Sequence, residues 1–222
     1  MATWKTCLFD LDGTLIDTID DLASAAERVL TELGLGNADG TPVHTQDRYH
    51  QFVGNGIKKL VERALGAHAT PALLEQACSR FLEIYNDHCQ VKTHPYEGIL
   101  PLLDELKARG ITLGVVTNKP EKQARFLAEA FFSAYDLRCV YGSVEGRPNK
   151  PDPTSLNMAL RDCDAQRETT IFIGDSDVDV ETAHNGGLTC AGAAWGFRGE
   201  EELRRAGADI LLTHPTDLLR FF

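Results

Sequence analysis

The chain has 222 residues, enough for one larger domain or for a core with a smaller insert, and its 43% hydrophobic content supplies a buried interior without covalent staples. Thirty-three acidic residues against 22 basic ones give a formal net charge of -11, which opposes broad electrostatic attraction to nucleic acid or an anionic membrane. Any phosphate site must therefore be locally cationic. Cys7, Cys78, Cys89, Cys139, Cys163 and Cys190 form no C-x-x-C pair and read as buried, reduced thiols. No signal peptide or membrane span is visible, so the expected setting is cytoplasmic and soluble.

The first apolar run, Thr6–Phe9, predicts a strand that ends in Phe9-Asp10-Leu11-Asp12-Gly13-Thr14-Leu15. Strand residues two apart face the same way, so Asp10 and Asp12 crowd one small volume and call for a compensating cation or proton. Residues 17–93 then show recurring helical periodicity and no convincing strand. Ile19, Leu22, Ala23, Ala26, Val29, Leu30 and Leu33 form one apolar stripe, opened by a capping-box match from Thr18 to Asp21. A second helix is expected over Ile57–Leu65. A third is expected over residues 72–86, with Leu73, Leu74, Ala77, Phe81 and Ile84 as its inner face.

Beyond residue 93, apolar runs alternate with helical patterns, as in a parallel sheet wrapped by helices. Strands are expected at residues 113–117, 139–141, 170–174, 189–191 and 210–212, and helices at 100–109, 120–131, 154–161 and 178–185. Gly110 is read as the C-cap of the first of these helices and Pro120 as a first-turn residue of the second. The fold class is thus α/β, with a core from residues 1–16 and 94–222 and a helical insert over 17–93.

Three later segments carry chemistry. Val115-Val116-Thr117-Asn118-Lys119-Pro120 ends a strand with a hydroxyl and an amide before a helix, a set of donors that suits phosphate, although a strand-end Thr is equally a simple cap. Arg147-Pro148-Asn149-Lys150-Pro151-Asp152-Pro153 stiffens the backbone around Lys150. Ile171-Phe172-Ile173-Gly174-Asp175-Ser176-Asp177-Val178-Asp179 runs a strand into clustered acids that suit a hard cation such as Mg2+. An EF-hand reading of those acids fails, because Val180 stands where the turn glycine belongs and Gly186 where the final Glu belongs. Asp177 is read as a helix-start residue.

Taken in order, these segments resemble the four motifs of the haloacid dehalogenase superfamily, mostly phosphatases that form a phosphoaspartate. The resemblance spans Asp10 to Asp179 and implies a Rossmann-like core whose motifs meet at the carboxyl ends of the strands, with the helical insert as a cap. It implies Asp10 as nucleophile, Asp12 as general acid and base, and Thr117, Asn118 and Lys150 as the phosphate-binding set. It also implies Mg2+ held by a carboxylate oxygen of Asp10, the main-chain carbonyl of Asp12 and Asp175, with Asp179 in support. Gln51-Phe52-Val53-Gly54-Asn55-Gly56-Ile57, Thr117-Asn118-Lys119-Pro120 and Trp195-Gly196-Phe197-Arg198 are similar to the bacterial phosphoglycolate phosphatase subgroup. Gly54, Asn55 and Gly56 then offer main-chain donors to a small substrate, or else form an ordinary interhelical turn. Trp195 and Phe197 either border the site or belong to the core.

The expected activity is Mg2+-dependent hydrolysis of a small phosphorylated metabolite, 2-phosphoglycolate to glycolate and phosphate, with no nucleic-acid or membrane partner and an open oligomeric state. The rivals are a phosphomutase of the β-phosphoglucomutase type, a pyrophosphatase or nucleotide phosphatase, and a noncatalytic metabolite sensor.

Overall fold

The computed structural model describes residues 4–222. Strand β1 (Thr6–Phe9) leads through a turn to the two-residue β2 (Ile16–Asp17). Helices α1 (Ile19–Glu32), α2 (Gln46–Phe52), α3 (Ile57–Leu65) and α4 (Pro71–His88) follow, then the two-residue β3 (His94–Pro95). The remainder alternates: α5 (Ile99–Ala108), β4 (Thr112–Pro120), α6 (Glu121–Phe132), β5 (Val140–Ser143), α7 (Thr154–Asp162), β6 (Thr170–Gly174), α8 (Asp177–Asn185), β7 (Thr189–Ala193), α9 (Gly199–Ala206) and β8 (Ile210–Leu212). The chain forms two compact units, one comprising Thr18–His94 and the other the chain up to Asp17 together with Pro95–Phe222.

The second of these is a six-stranded sheet in the order β5-β4-β1-β6-β7-β8, with every pairing parallel. All four residues of β1 are buried, as expected of a central parallel strand covered on both faces. Leu8, Val116, Phe172 and Cys190 from the sheet pack with Leu156, Ala159 and Leu160 of α7, Val180 and Ala183 of α8 and Leu203 of α9. Each large side chain buried in this way contributes about 1.5–3 kcal/mol. Gly114 is small for a steric reason: a Cβ there would lie 2.9 Å from both Cys139 Sγ and a Leu8 methyl.

The register of this sheet positions the site. Phe9 pairs with Val115 on one side and Ile173 on the other. The residues just beyond these partners, Asp10, Thr117 and Asp175, therefore emerge along one carboxyl edge of the sheet, the usual ligand edge of open α/β sheets.

The expected strands and helices of this unit are present, with the strands at 6–9, 170–174 and 210–212 at the expected bounds and the other elements shifted by one to three residues at an end. Two local readings are corrected. Pro120 is the N-cap residue at the end of β4, and α6 begins at Glu121, so the proline ends the strand. Helix α9 was not expected. Its only buried residue is Leu203, and the helix rests instead on Glu200, Glu201 and Glu202 in its first turn, Arg204 and Arg205 in its last, and left-handed Gly207 as its C-cap.

In the helical unit, α1 packs against α2 and α4. Helix α4 opens with Thr70, whose hydroxyl accepts from Leu73 N at 3.3 Å, followed by Pro71 in the first turn. Helix α2 was also unexpected. It buries only Tyr49 and Phe52, whose rings meet edge to face at 5.5 Å. On α1, Ala25 is buried in addition to the expected stripe, whereas Ala23 and Leu33 are half-buried.

The expected capping box at Thr18 is a further correction, because Thr18 makes no side-chain cap bond. Asp21, 4% exposed, turns instead to the returning chain and accepts from Val91 N at 3.0 Å, Lys92 N at 3.0 Å, Thr93 N at 2.9 Å and Thr93 Oγ1 at 2.7 Å. A far loop outcompetes the local cap because it offers several converging donors to one charged acceptor. Asp21→Ala leaves those donors unpaired, and urea unfolding is expected to show a loss of roughly 2–4 kcal/mol. A change below about 0.5 kcal/mol would mean that water replaces the carboxylate without cost.

Candidate active site

Asp10 leaves the end of β1 with its backbone N–H donating to Ile173 O at 2.8 Å, which ties the residue to β6. Its side chain is buried beside two further acids. Carboxylate oxygens of Asp10, Asp175 and Asp179 lie within 4.8 Å of one another. Lys150 Nζ enters the cluster 2.9 Å from Asp10 Oδ1 and 2.7 Å from Asp179 Oδ1. The Asp179 contact is a directed hydrogen bond. The Asp10 contact is an ion pair, and Asp10 Oδ1 is a buried oxygen that receives no hydrogen bond of good geometry among the described residues.

The electrostatics follow from burial. Loss of solvent pushes the Asp10 carboxyl up to about 6; the Lys150 charge opposes this rise and the Asp179 charge adds to it. Burial likewise raises Asp175 well above the ordinary carboxylate range, reinforced by Asp179 and Asp10, while the Phe197 N–H and Arg198 pull it down. Burial by itself would lower Lys150, but Asp10 and Asp179 more than compensate and hold the ammonium above its ordinary value.

The shell around these acids is built from main chain. Asp179 Oδ2 accepts from Asp175 N at 3.1 Å, Ser176 N at 3.1 Å and Ser176 Oγ at 2.7 Å, which binds the start of α8 to the end of β6. Asp175 Oδ2 accepts from Phe197 N at 2.8 Å, and Trp195 Nε1 donates to Thr14 O at 3.0 Å. Three glycines admit this packing. A Cβ on Gly13 would stand 2.5 Å from Asp175 Oδ2, one on Gly174 would stand 2.3 Å from the Asp179 Cβ, and one on Gly196 would stand 2.3 Å from both the Asp175 Cβ and Gly13 O.

The expected residues Asp10, Asp175, Asp179 and Lys150 thus meet directly. Thr117 lies on the same edge, and its hydroxyl accepts from Lys119 N at 3.3 Å. Asn118, expected as a phosphate donor, grips the lysine loop with its side chain, Nδ2 donating to Lys150 O at 3.1 Å and Oδ1 accepting from Lys150 N at 2.8 Å. Asp12 is paired with Lys119, a residue to which the sequence analysis gave no role: Nζ lies 2.9 Å from Asp12 Oδ1 and 3.1 Å from Oδ2. Arg147 faces away from the cluster, toward Glu121 and the Gly142 carbonyl. Trp195 and Phe197 are half-buried and serve through the polar contacts above. Gly54, Asn55 and Gly56 lie in the helical unit between α2 and α3, and Gly54 and Gly56 have φ of 111° and 83°.

Three buried carboxylates and one ammonium leave an excess of negative charge, and Asp10 Oδ1 has an unfilled acceptor site. The donor set is all oxygen, which fits a hard divalent cation.

This arrangement is an α/β core with a buried acidic cluster and one ammonium at the carboxyl edge of its parallel sheet. The family model for haloacid dehalogenase-like hydrolases matches residues 7–193, and the chain belongs to that family. Within it, the chain is a phosphatase similar to phosphoglycolate phosphatases. It is 32% identical over 217 residues to the phosphoglycolate phosphatase of Aquifex aeolicus, covering 97% of this chain and 95% of the relative. It is 31% identical over 216 residues to the N-acetylmuramic acid 6-phosphate phosphatase of Pseudomonas aeruginosa, covering 97% and 93%. A crystal structure from Lactobacillus delbrueckii subsp. bulgaricus, whose assignment as a phosphoglycolate phosphatase is itself inferred, has a TM-score of 0.86 at 30% identity and 97% coverage of each chain.

The raised carboxyls set a pH dependence. Asp10 and Asp175 hold protons more tightly folded than unfolded, so between the ordinary value of 3.8 and about 6 the folded state carries more protons and stability falls as pH rises. Exposed acids with lowered values, such as Glu32 at about 2, act with the opposite sign, and because the ordinary value of a glutamate is 4.5 their contribution is complete only above about pH 5.5. In chelator, the melting temperature is expected to decline between about pH 5.5 and 6.5, where the lowered acids no longer contribute, and a divalent cation to restore more of it at the higher pH. A rising melting temperature across that window in chelator would contradict the electrostatic account of the cluster.

Proposed function

We propose that this chain hydrolyses 2-phosphoglycolate to glycolate and phosphate through a phosphoaspartate on Asp10, with Mg2+ as its cation. The reading rests above all on Asp10 at the end of β1, within ion-pair reach of the buried Lys150 and beside Asp175. Asp10 and Asp175 side-chain oxygens and the Asp12 carbonyl would hold the metal, with Asp179 in support. When bound, it supplies positive charge that offsets the carboxylates and the phosphoryl oxygens.

The chain's own residues then divide the work. An Asp10 oxygen bonds to phosphorus as the bond to the leaving oxygen breaks, and Asp12 gives that oxygen its proton, so glycolate departs. Asp12 next accepts a proton from water as the water oxygen attacks phosphorus, and the Asp10–phosphorus bond breaks to release phosphate. Lys150 stays charged throughout and stabilises the transferred group, while the Thr117 hydroxyl donates to it. Asp179 holds Lys150 in place from one side and Asn118 from the other. Gly54, Asn55 and Gly56 are proposed to contact the organic part of the substrate.

A second substrate, an amino-sugar 6-phosphate, is favoured by the Pseudomonas aeruginosa relative, which matches with similar identity and coverage. Asp10→Asn removes the nucleophile at nearly constant shape and is expected to lower turnover more than about 1,000-fold with an unchanged circular dichroism spectrum. Near-normal turnover in that variant would defeat the phosphoaspartate reading. In a panel of phosphate esters assayed with and without Mg2+, kcat/KM is expected to be highest for 2-phosphoglycolate and to collapse in chelator. A preference for N-acetylmuramic acid 6-phosphate would replace the substrate, and metal-independent turnover would remove the cation from the account.

A further inference from the structure

Lys119 is the second deeply buried ammonium of the core unit, and the four sequence motifs give it no task. Its side chain is 2% exposed and lies beside both oxygens of Asp12, at 2.9 and 3.1 Å. Lys150 is engaged elsewhere, with Asp10 and Asp179. The two lysines therefore serve separate carboxylates, although Asp10 and Asp12 are only two residues apart.

The backbone that carries Lys119 leaves it little freedom. It is the penultimate residue of β4, its N–H donates to Thr117 Oγ1 at 3.3 Å, and Pro120 follows. Gly142 of the neighbouring β5 runs so close that a Cβ there would lie 2.6 Å from Lys119 O. The ammonium is thus delivered from a fixed strand end.

We propose that Lys119 is a positioning residue for the proton transfers of Asp12, an inference that rests on the acid–base role assigned to Asp12 above. An ammonium offers only donors, so from its place beside both Asp12 oxygens it faces their lone pairs, and a proton on Asp12 points away from it. When Asp12 carries the proton, Lys119 holds the accepting oxygen and the O–H is turned to the other side, toward the leaving group. In the first half-reaction the Asp10–phosphorus bond forms, the bond from phosphorus to the ester oxygen breaks, and the Asp12 proton moves to that oxygen. The ammonium keeps its own protons. Without it, Asp12 loses its fixed orientation, and proton transfer is the step that suffers.

The test uses two esters that differ in their need for an acid. The alkoxide leaving 2-phosphoglycolate requires a proton, whereas the nitrophenolate leaving 4-nitrophenyl phosphate departs without one. For Asp12→Asn, kcat/KM should fall much further on the alkyl ester than on the aryl ester. Lys119→Met should show the same split, about 100-fold on 2-phosphoglycolate and less than about 10-fold on 4-nitrophenyl phosphate, and should add almost nothing to Asp12→Asn in the double variant. Lys119→Gln, which keeps one donor to Asp12, should show a smaller split and carries the test if the methionine variant fails to fold. If Asp12→Asn shows the split while the Lys119 variants lower both esters equally or not at all, the positioning role is overturned and the Asp12 reading survives. If Asp12→Asn shows no split, the acid–base reading fails and this inference falls with it.

Discussion

Three acids forced into one buried volume set the terms for everything around them. Asp10, Asp175 and Asp179 bring oxygens within 4.8 Å of one another, and among the described residues the ammonium of Lys150 contacts Asp10 and Asp179. With every carboxylate ionised the cluster holds two uncompensated negative charges, a state that burial penalises heavily. One bound divalent cation would make it neutral, so that these residues could receive a phosphate dianion without net repulsion. The elevated proton affinities of Asp10 and Asp175 express the same imbalance: without a cation, protons are the alternative counter-charge.

The fold sustains this crowding by fixing main chain rather than by relying on flexible side chains. Pairing of Phe9 with Val115 and Ile173 places the ends of three adjacent parallel strands at one height. Asp179 accepts three hydrogen bonds from the strand-to-helix turn through one oxygen, which leaves its other oxygen directed at Lys150. Gly13 and Gly196 bring two loops against Asp175 from different parts of the chain, closer than any side chain permits. The carboxylates are thereby oriented before any ligand arrives, and little reorganisation remains for the moment of reaction.

The acids themselves were legible because each stands at the end of an apolar run, where a change from hydrophobic to charged residues is conspicuous. Lys150 stood out through its flanking prolines. What escaped notice depends on partners far along the chain. Lys119 reads as an ordinary polar residue until the sheet brings it to Asp12, and the side chain of Asn118 faces Lys150 rather than open space. Asp21 matched a local capping pattern, yet its bonds go to residues 91–93. Helices α2 and α9 were missed for a related reason. With only Tyr49 and Phe52 buried in one and Leu203 in the other, neither carries an apolar stripe long enough to register as periodic. Tertiary anchoring by one or two side chains supplies what local pattern lacks.

Phosphoryl chemistry and substrate choice are separable in this chain. Relatives named for a two-carbon acid phosphate and for a bulky amino-sugar phosphate match it over 97% of its length at 32% and 31% identity, so overall similarity does not rank the two. Asp10, Asp12, Thr117, Lys119, Lys150 and Asp175 all lie in the α/β unit, and the roles proposed for them concern the phosphoryl group and the leaving oxygen, which every monoester shares. Discrimination must come from groups that touch the rest of the substrate, where the presence or absence of one well-placed hydrogen bond outweighs general shape. In the proposed function that task falls to the loop at Gly54-Asn55-Gly56, whose two glycines take positive φ ahead of α3 and which carries none of the charged groups of the acidic cluster.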